Sequence, residues 1–181
     1  KTDQTRALTL STIAFTVCFA IWTIFSILGI QIKQNLGLND TQFGLLVATP
    51  ILTGALSRLI LGIWADQYGG RIVMTLTMLL SAIATYLLSS VETYAMFLVA
   101  ALGVGLAGGC FAVGISYVSS WYEKEKQGTA LGIFGVGNVG AAITNFIAPF
   151  IMLTLGWNGL AKTYAIIIFV TAILFYLFAK D

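Results

Sequence analysis

One arginine inside an apolar run is the residue of this sequence whose chemistry most clearly indicates a function. Arg58 lies well inside such a run, and no acidic residue falls inside any apolar run of the chain. A charged side chain in hydrocarbon costs at least ~2.5–3.5 kcal/mol, and intramembrane charges usually face a cavity or a substrate path. Arg58 either snorkels toward the interface near Asp66, roughly 12 Å along the helix, or awaits an anion brought by a substrate.

The composition places the chain among integral membrane proteins. Hydrophobic residues make up 59% of the 181 residues, charged residues 9%, and the mean hydropathy is +0.95. Soluble domains carry about 25% charged residues. The apolar runs are long and continuous rather than alternating, so we predict membrane-spanning helices rather than a barrel.

Charge and cysteine content exclude several other classes. A net charge of +2 is too small to indicate a nucleic-acid partner. There is no histidine, and Cys18 and Cys110 both lie in apolar runs, where they are expected to be small core residues rather than a disulfide or metal pair. We therefore predict no metal and no cofactor. The first apolar run is long enough to cross a membrane and lacks a small-residue signal-peptidase site followed by a polar segment. We therefore expect a helix that is retained rather than a signal peptide.

Six apolar runs of roughly 19–28 residues predict an all-α, polytopic bundle of six transmembrane helices. The predicted spans 1 to 6 are Ala7–Gly29, Thr41–Ala65, Ile72–Ser90, Tyr94–Ser119, Gly128–Leu155 and Leu160–Phe178. The expected connections are Gln31–Asp40, Asp66–Arg71, Val91–Thr93 and Trp121–Gln127. Asn39 begins a predicted N-cap for span 2, and Pro50 predicts a kink within it.

The distribution of lysine and arginine predicts the orientation. With a cytoplasmic N-terminus, most of these residues outside the spans lie inside, where cytoplasmic loops are enriched in them. The inside set is Lys1, Arg6, Arg71, Lys124, Lys126 and Lys180, and the outside set is Lys33 and Lys162. Both termini are therefore predicted to be cytoplasmic.

An aromatic stripe lies on one face of span 1. Phe15, Phe19 and Trp22 recur at helical spacing. Such a stripe is more often packing than the wall of a ligand site, and both roles remain open here. Asn138, in the middle of span 5, needs a partner at that depth, which is either an interhelical hydrogen bond or an anion.

Spans 4 and 5 carry glycines at patterned spacings. Small residues allow membrane helices to approach closely, so we expect these two spans to contact each other through their glycines. The same surface could also slide against a neighbour or leave room for a small substrate. The glycines are Gly105, Gly108, Gly109, Gly132, Gly135, Gly137 and Gly140.

Two stretches resemble a known family. The segment from Gly62 to Arg71 is similar to the loop motif between helices 2 and 3 of the major facilitator superfamily. The resemblance implies that Asp66 caps and pairs across a cytoplasmic gate near the start of span 5, around Gly128, and that Arg71 binds nearby carbonyls or acids. The family's more common basic residue after the aspartate is Gln67 here.

A second, more specific resemblance comes from spans 4 and 5. The glycine stretch 103–114, the segment 125–132 and the stretch 135–140 resemble the signature of the nitrate/nitrite porters. By that resemblance, the substrate arginine of helix 2 falls on Arg58, the aromatic residue of helix 4 on Phe111 and the asparagine of helix 5 on Asn138. Phe19 and Trp22 complete the expected substrate-binding set.

The resemblance also implies an architecture of which this chain is half. The family has twelve helices in two halves with the site between them, so residues 1–181 correspond to the N-terminal six-helix domain. Within it we expect two three-helix repeats, about residues 1–92 and 93–181. The implied partners are nitrate or nitrite, the lipid bilayer and the missing C-terminal half.

Three functions compete at this stage. The first is alternating-access transport of nitrate or nitrite, by antiport or proton symport, in the plasma membrane of a bacterium. The second is transport of another small solute, although this half lacks the membrane carboxylates or histidines common in proton-coupled carriers. The third is a non-transporting helix bundle, which gives no reason for Arg58. None of the three functions makes or breaks a covalent bond, so an enzyme is not expected.

Overall fold

The computed structural model describes residues 2–23, 25–88, 90 and 93–179, and no strand occurs among them. Six helices are long and apolar enough to cross a membrane, which confirms the predicted all-α bundle. These spans are Asp3–Trp22, Asp40–Tyr68, Gly70–Leu88, Tyr94–Trp121, Gln127–Gly156 and Asn158–Phe178.

The chain between spans 1 and 2 is more helical than predicted. Span 1 belongs to the helix Thr2–Trp22, and a second helix, Phe25–Leu36, begins within the range predicted for span 1 and continues into Gln31–Asp40, where a polar connection was expected. That prediction was wrong because the loss of hydropathy marks the edge of the apolar run, whereas helical hydrogen bonding continues through polar residues. The helix ends at Gly37, whose φ of 64° suits glycine.

The turns between later spans are also shorter than predicted. Span 2 continues to Tyr68, and span 3 begins at Gly70, so the expected turn of residues 66–71 reduces to Gly69. Gly69 has a φ of 98° and donates its N–H to the carbonyl of Ala65 over 3.0 Å. The turn predicted at Val91–Thr93 falls mostly outside the described residues, as do Lys1 and Lys180 of the orientation argument.

The predicted N-cap of span 2 is present. The Asn39 side chain accepts from the backbone N–H of Gln42 over 2.8 Å, and the Gln42 side chain accepts from the backbone N–H of Asn39 over 3.1 Å. This reciprocal capping box satisfies two N–H groups that the first helical turn leaves unpaired. The ion pair between Lys33 and Asp40, at 2.9 Å, lies beside it.

We expect Asn39→Ala to lower the free energy of unfolding by about 0.5–2 kcal/mol, because the N-terminal N–H groups of span 2 lose their acceptor. Asn39→Gly should cost only about a few tenths of a kcal/mol, since glycine is itself a tolerated N-cap. Thermal unfolding of the two variants of the full-length protein measures the difference. Equal destabilisation by both substitutions would contradict a capping role.

Spans 4, 5 and the junction of spans 5 and 6 are not regular α-helices. Span 4 contains the 3-10 turn Leu106–Gly109, and span 5 contains the 3-10 turn Gly135–Asn138. Both turns lie inside the glycine stretches identified in the sequence. The helix Val139–Phe178 bends at Gly156, whose φ is 75°, and this bend separates span 5 from span 6.

The spans pack in a consistent set of pairs. Span 2 packs along span 4, span 1 along span 5, and span 3 along span 6. The central core includes Cys18 and Cys110, which are buried as predicted, are not disulfide-bonded and have their Sγ atoms 2.9 Å apart.

The glycines do not join spans 4 and 5 as predicted. A Cβ on Gly105 of span 4 would lie 2.6 Å from Thr53 of span 2, and one on Gly137 of span 5 would overlap Phe15 of span 1. Gly140 meets backbone atoms of Thr16 and Ala20 in span 1. Spans 4 and 5 do touch, but where Gly114 faces the Phe134 ring. The spacing of small residues marks a contact face without indicating which helix fills it.

Candidate functional site

Arg58 is directed into the bundle. Its Nε atom donates to the carbonyl of Gly108 in span 4 over 3.2 Å, and the side chain is half-buried. The guanidinium therefore reaches across to a neighbouring span rather than along its own helix toward the interface. One ion pair occurs among the described residues, and it joins Lys33 and Asp40. No carboxylate of the described residues therefore lies within ion-pair distance of Arg58.

Two aromatic rings flank the guanidinium. The Cζ atom of Arg58 lies 5.3 Å from the ring centroid of Trp22 and 5.1 Å from that of Phe111. Both distances are within the ~6 Å over which a cation is attracted to the face of an aromatic ring. Three of the residues singled out in the sequence, on spans 1, 2 and 4, thus meet at one point.

The 3-10 turn of span 4 supplies the acceptor for Arg58. Gly108 lies in the turn Leu106–Gly109, and Phe111 follows one turn later. A 3-10 segment has poorer internal hydrogen-bond geometry than an α-helix and is frequent at functional positions. The carbonyl that accepts from Arg58 therefore comes from the irregular part of this span, and the ring comes from the first turn of the α-helix Cys110–Trp121 that follows it.

The indole of Trp22 is tightly enclosed. Its Nε1 donates to the carbonyl of Pro50 over 2.9 Å. A Cβ on Gly54 would lie 2.8 Å from indole Nε1, and one on Gly108 would lie 2.7 Å from indole Cε2. Both distances are shorter than real Cβ contacts, so the ring occupies space that only these glycines leave open.

The remaining aromatic residues form a cluster behind these rings. Phe15 is fully buried, with its ring centroid 5.5 Å from that of Phe19, 5.4 Å from Phe111 and 4.8 Å from Phe134. Phe19 in turn lies 5.3 Å from Trp22. The stripe on span 1 therefore packs against spans 4 and 5 and also borders Arg58 through Trp22.

Asn138 does not join this group. Its side chain is exposed, and its Nδ2 donates to the carbonyl of Gly135 over 2.8 Å, within its own 3-10 turn. Of the two roles left open for Asn138, an interhelical hydrogen bond is not found among the described residues, and binding to an anion stays a prediction. The 3-10 turn brings the Gly135 carbonyl within reach of the amide, and the face of span 5 that carries Asn138 is uncovered.

The residues of the loop motif occupy one end of the bundle. Asp66 accepts a hydrogen bond from the hydroxyl of Ser116 in span 4. Its expected position near the start of span 5 stays a prediction. Arg71 donates from Nε and Nη2 to the carbonyl of Tyr176, over 2.9 and 2.6 Å, and its Cζ lies 4.3 Å from that ring. A Cβ added to Gly62 would lie 3.7 Å from the Cβ of Ala112, which is an ordinary contact distance.

Sequence reasoning missed the supporting residues of the site. Pro50 and Gly54 were not chosen, although Pro50, Gly54 and Arg58 recur every four residues and so share a face of span 2. That spacing was available as a signal. The pairing of Asp66 with Ser116 carried no comparable signal, because the two residues are 50 positions apart.

The family model described as Major Facilitator Superfamily matches residues 10–181. The chain belongs to the major facilitator superfamily. It is accordingly an integral membrane protein, and the sequence-based identification of the superfamily is confirmed.

Curated relatives of this superfamily member carry names related to nitrate. The chain is 43% identical over 180 residues to a probable nitrate/nitrite antiporter, NarK1, of Thermus thermophilus, covering 93% of this chain and 41% of the relative. It is 36% identical over 167 residues to a probable nitrate/nitrite transporter, NarK2, of Mycobacterium tuberculosis, covering 91% and 42%. It is 32% identical over 178 residues to a probable nitrate transporter, NarT, of Staphylococcus haemolyticus, covering 98% of this chain and 46% of the relative. The chain thus spans less than half the length of these relatives.

Solved structures support the fold. A bacterial homolog of the human lysosomal transporter Spinster, inward-facing and unoccupied, superposes with a TM-score of 0.86 at 20% identity, covering all of this chain and 44% of the other. The occupied form of that homolog gives a TM-score of 0.83 at 19% identity, covering 100% and 45%.

Proposed function

We propose that this chain is the N-terminal half of a transporter that carries nitrate or nitrite across a membrane by alternating access. The observation that carries this proposal is the position of Arg58, an intramembrane cation held between two aromatic rings and a carbonyl. Its Nη1 and Nη2 atoms have no hydrogen-bond partner among the described residues. The names of the relatives support nitrate and nitrite as the anions.

The chemistry of the group suits these anions. Nitrate and nitrite are small, planar, singly charged and rich in acceptor oxygens. A guanidinium presents a planar fork of donors that matches such oxygens, whereas an ammonium acts as a point charge. In this proposal Phe111 contacts the flat face of the anion, Phe19 and Trp22 complete the aromatic wall, and the exposed amide of Asn138 supplies a neutral donor.

The least buried spans indicate where the second half would bind. In spans 2 and 5, only 28% and 17% of the most apolar 18-residue segment is buried inside the bundle, which is less than in any of the other four spans. They also carry Arg58 and Asn138. We propose that these two faces meet a C-terminal six-helix half, with the anion between the halves. The pairing of span 1 with span 5 and of span 4 with span 2 supports two three-helix repeats.

The coupling mode and the membrane are part of the same proposal. The apolar runs of this half contain no acidic residue, which favours nitrate/nitrite exchange over proton symport. The excess of lysine and arginine in the connections predicted to lie inside supports two cytoplasmic termini. The bacterial sources of the relatives support a bacterial plasma membrane. A carrier of another small solute is the alternative that a substrate test must exclude, and a non-transporting bundle is the other.

Anion-dependent thermal stabilisation of the full-length transporter tests the function. A ligand present at 100 times its Kd stabilises the folded state by about 2.7 kcal/mol, so nitrate or nitrite should raise the unfolding temperature in a saturable way. Chloride and sulfate at equal ionic strength are the controls, and Arg58→Ala should abolish the response. Equal stabilisation by all four anions, or none by any, would contradict the proposal.

A further inference from the structure

We propose that Trp22 is a positioning residue, which holds the guanidinium of Arg58 in one orientation for anion binding. The inference rests on the proposed function, because it assigns Trp22 a role at the same site. In this role the indole acts through Arg58 rather than through its own contact with the anion. Three features of the structure, each involving a different neighbour, carry the inference.

The first feature is a slot between two glycines. Gly54 on span 2 and Gly108 on span 4 lie on the indole, at 2.8 and 2.7 Å from their ideal Cβ positions to ring atoms. A side chain at either position would fit only if the indole ring moved. The indole therefore packs directly against the backbones of both glycines, and span 1 contributes the ring to the contact between spans 2 and 4.

The second feature is an anchor at the edge of the ring. Indole Nε1 donates to the Pro50 carbonyl, and Pro50 lies one helical turn before Gly54. An indole N–H in an apolar environment without a partner would be costly, so this bond selects one of the two ways in which the ring could enter the slot. The two glycine contacts and the anchor together restrict the orientation of the indole.

The third feature is the contact with Arg58. The guanidinium lies 5.3 Å from the Trp22 ring, and its Nε donates to the carbonyl of Gly108. Gly108 thus contributes to both the slot and the arginine. In this inference the restrained ring supports one side of the guanidinium, and the Nη atoms, which have no hydrogen-bond partner among the described residues, are left to bind the anion. A pre-oriented side chain binds more tightly because less freedom is lost on binding.

The test is the kinetics of nitrate uptake by the full-length transporter in proteoliposomes. Trp22→Leu removes ring and anchor, and we expect the KM for nitrate to rise about tenfold while the maximal rate changes by less than about twofold. Trp22→Phe keeps a ring but loses Nε1, and its KM should rise about threefold. Phe169→Leu, an exposed aromatic position on span 6, is the matched control and should leave the KM unchanged.

Two further variants separate positioning from packing. In an Arg58→Lys background the planar fork is already lost, so Trp22→Leu should raise the KM by less than about a further twofold. Gly108→Ala should raise the KM of the wild type by displacing the indole, and Trp22→Phe should partly relieve that effect because its ring is smaller. Additive effects of the Trp22 and Arg58 substitutions would overturn the inference.

The outcomes distinguish this inference from the proposed function. If Arg58→Ala abolishes uptake but Trp22→Leu leaves the KM unchanged, the inference fails and the proposed function stands. If Trp22→Leu lowers the maximal rate without changing the KM, the indole has a structural role and the inference also fails. Where Trp22→Leu does not reach the membrane, the KM of Trp22→Phe decides. Normal uptake by Arg58→Ala overturns both.

Discussion

Arg58→Ala is expected to weaken the apparent affinity of the full-length transporter for nitrate by roughly 30-fold to several-thousand-fold. The substitution removes the charge and the donors that face the anion, and losing one partner of a buried, hydrogen-bonded charge pair costs ~2–5 kcal/mol, at about 1.4 kcal/mol per tenfold. Initial rates of nitrate uptake in proteoliposomes, at matched protein incorporation, measure the effect.

Arg58→Lys distinguishes a planar fork from a point charge. It keeps the positive charge but loses the bidentate geometry and the stacking between Trp22 and Phe111, so it should recover little activity. Lys33→Ala is the control, since Lys33 is the cation of an exposed ion pair with Asp40 and lies away from the site. Near-normal uptake by Arg58→Lys would show that a point charge suffices, and near-normal uptake by Arg58→Ala would mean that Arg58 is not the anion site.

Gly140→Ala is expected to destabilise the protein by at least about 1–3 kcal/mol, because the new methyl group meets backbone and not a flexible side chain. The added Cβ would overlap the carbonyl oxygen of Thr16 and lie 2.9 Å from the amide nitrogen of Ala20. Spans 1 and 5 would have to separate along their contact. The measurement is the thermal unfolding temperature of the purified full-length protein, together with its yield in the membrane.

Gly132→Ala is the matched control on the same span. No atom of the described residues lies within 4 Å of an added Cβ at Gly132, so within this half the substitution should be neutral or stabilising by up to about 1 kcal/mol through helix propensity. The contrast isolates the close approach of two backbones from the general effect of replacing glycine. Similar unfolding temperatures for the two variants would show that the contact between spans 1 and 5 is not close in solution.

The sequence alone determined the number of spans and the superfamily. Apolar length is a local property, since each span must satisfy its backbone hydrogen bonds within itself in lipid, and this is why the runs starting near Thr41, Tyr94 and Leu160 predicted helices at the right places. The ends were less accurate. The helix Phe25–Leu36 was missed because hydropathy reports the position of the bilayer, whereas a helix ends where its capping geometry, here at Gly37, allows.

Arg58 could be selected from sequence because a charge in an apolar run is costly wherever the run packs. Its surroundings could not, since they come from residues distant in the chain. Trp22, Gly108 and Phe111 reach it from spans 1 and 4, and only the packing of spans 1 and 2 against span 4 brings the rings and the carbonyl to the guanidinium.

The glycines show the same division most clearly. Their spacing predicted close helix contacts, which exist, but it assigned the wrong partners, because a small-residue face accepts any helix that presents a matching surface. Which helix that is depends on the arrangement of all six spans. Span 1 fills the face of Gly137 and Gly140, and span 2 fills that of Gly105 and Gly109. The exposure of Asn138 was equally beyond the sequence, since depth along a helix says nothing about which of its faces remains uncovered.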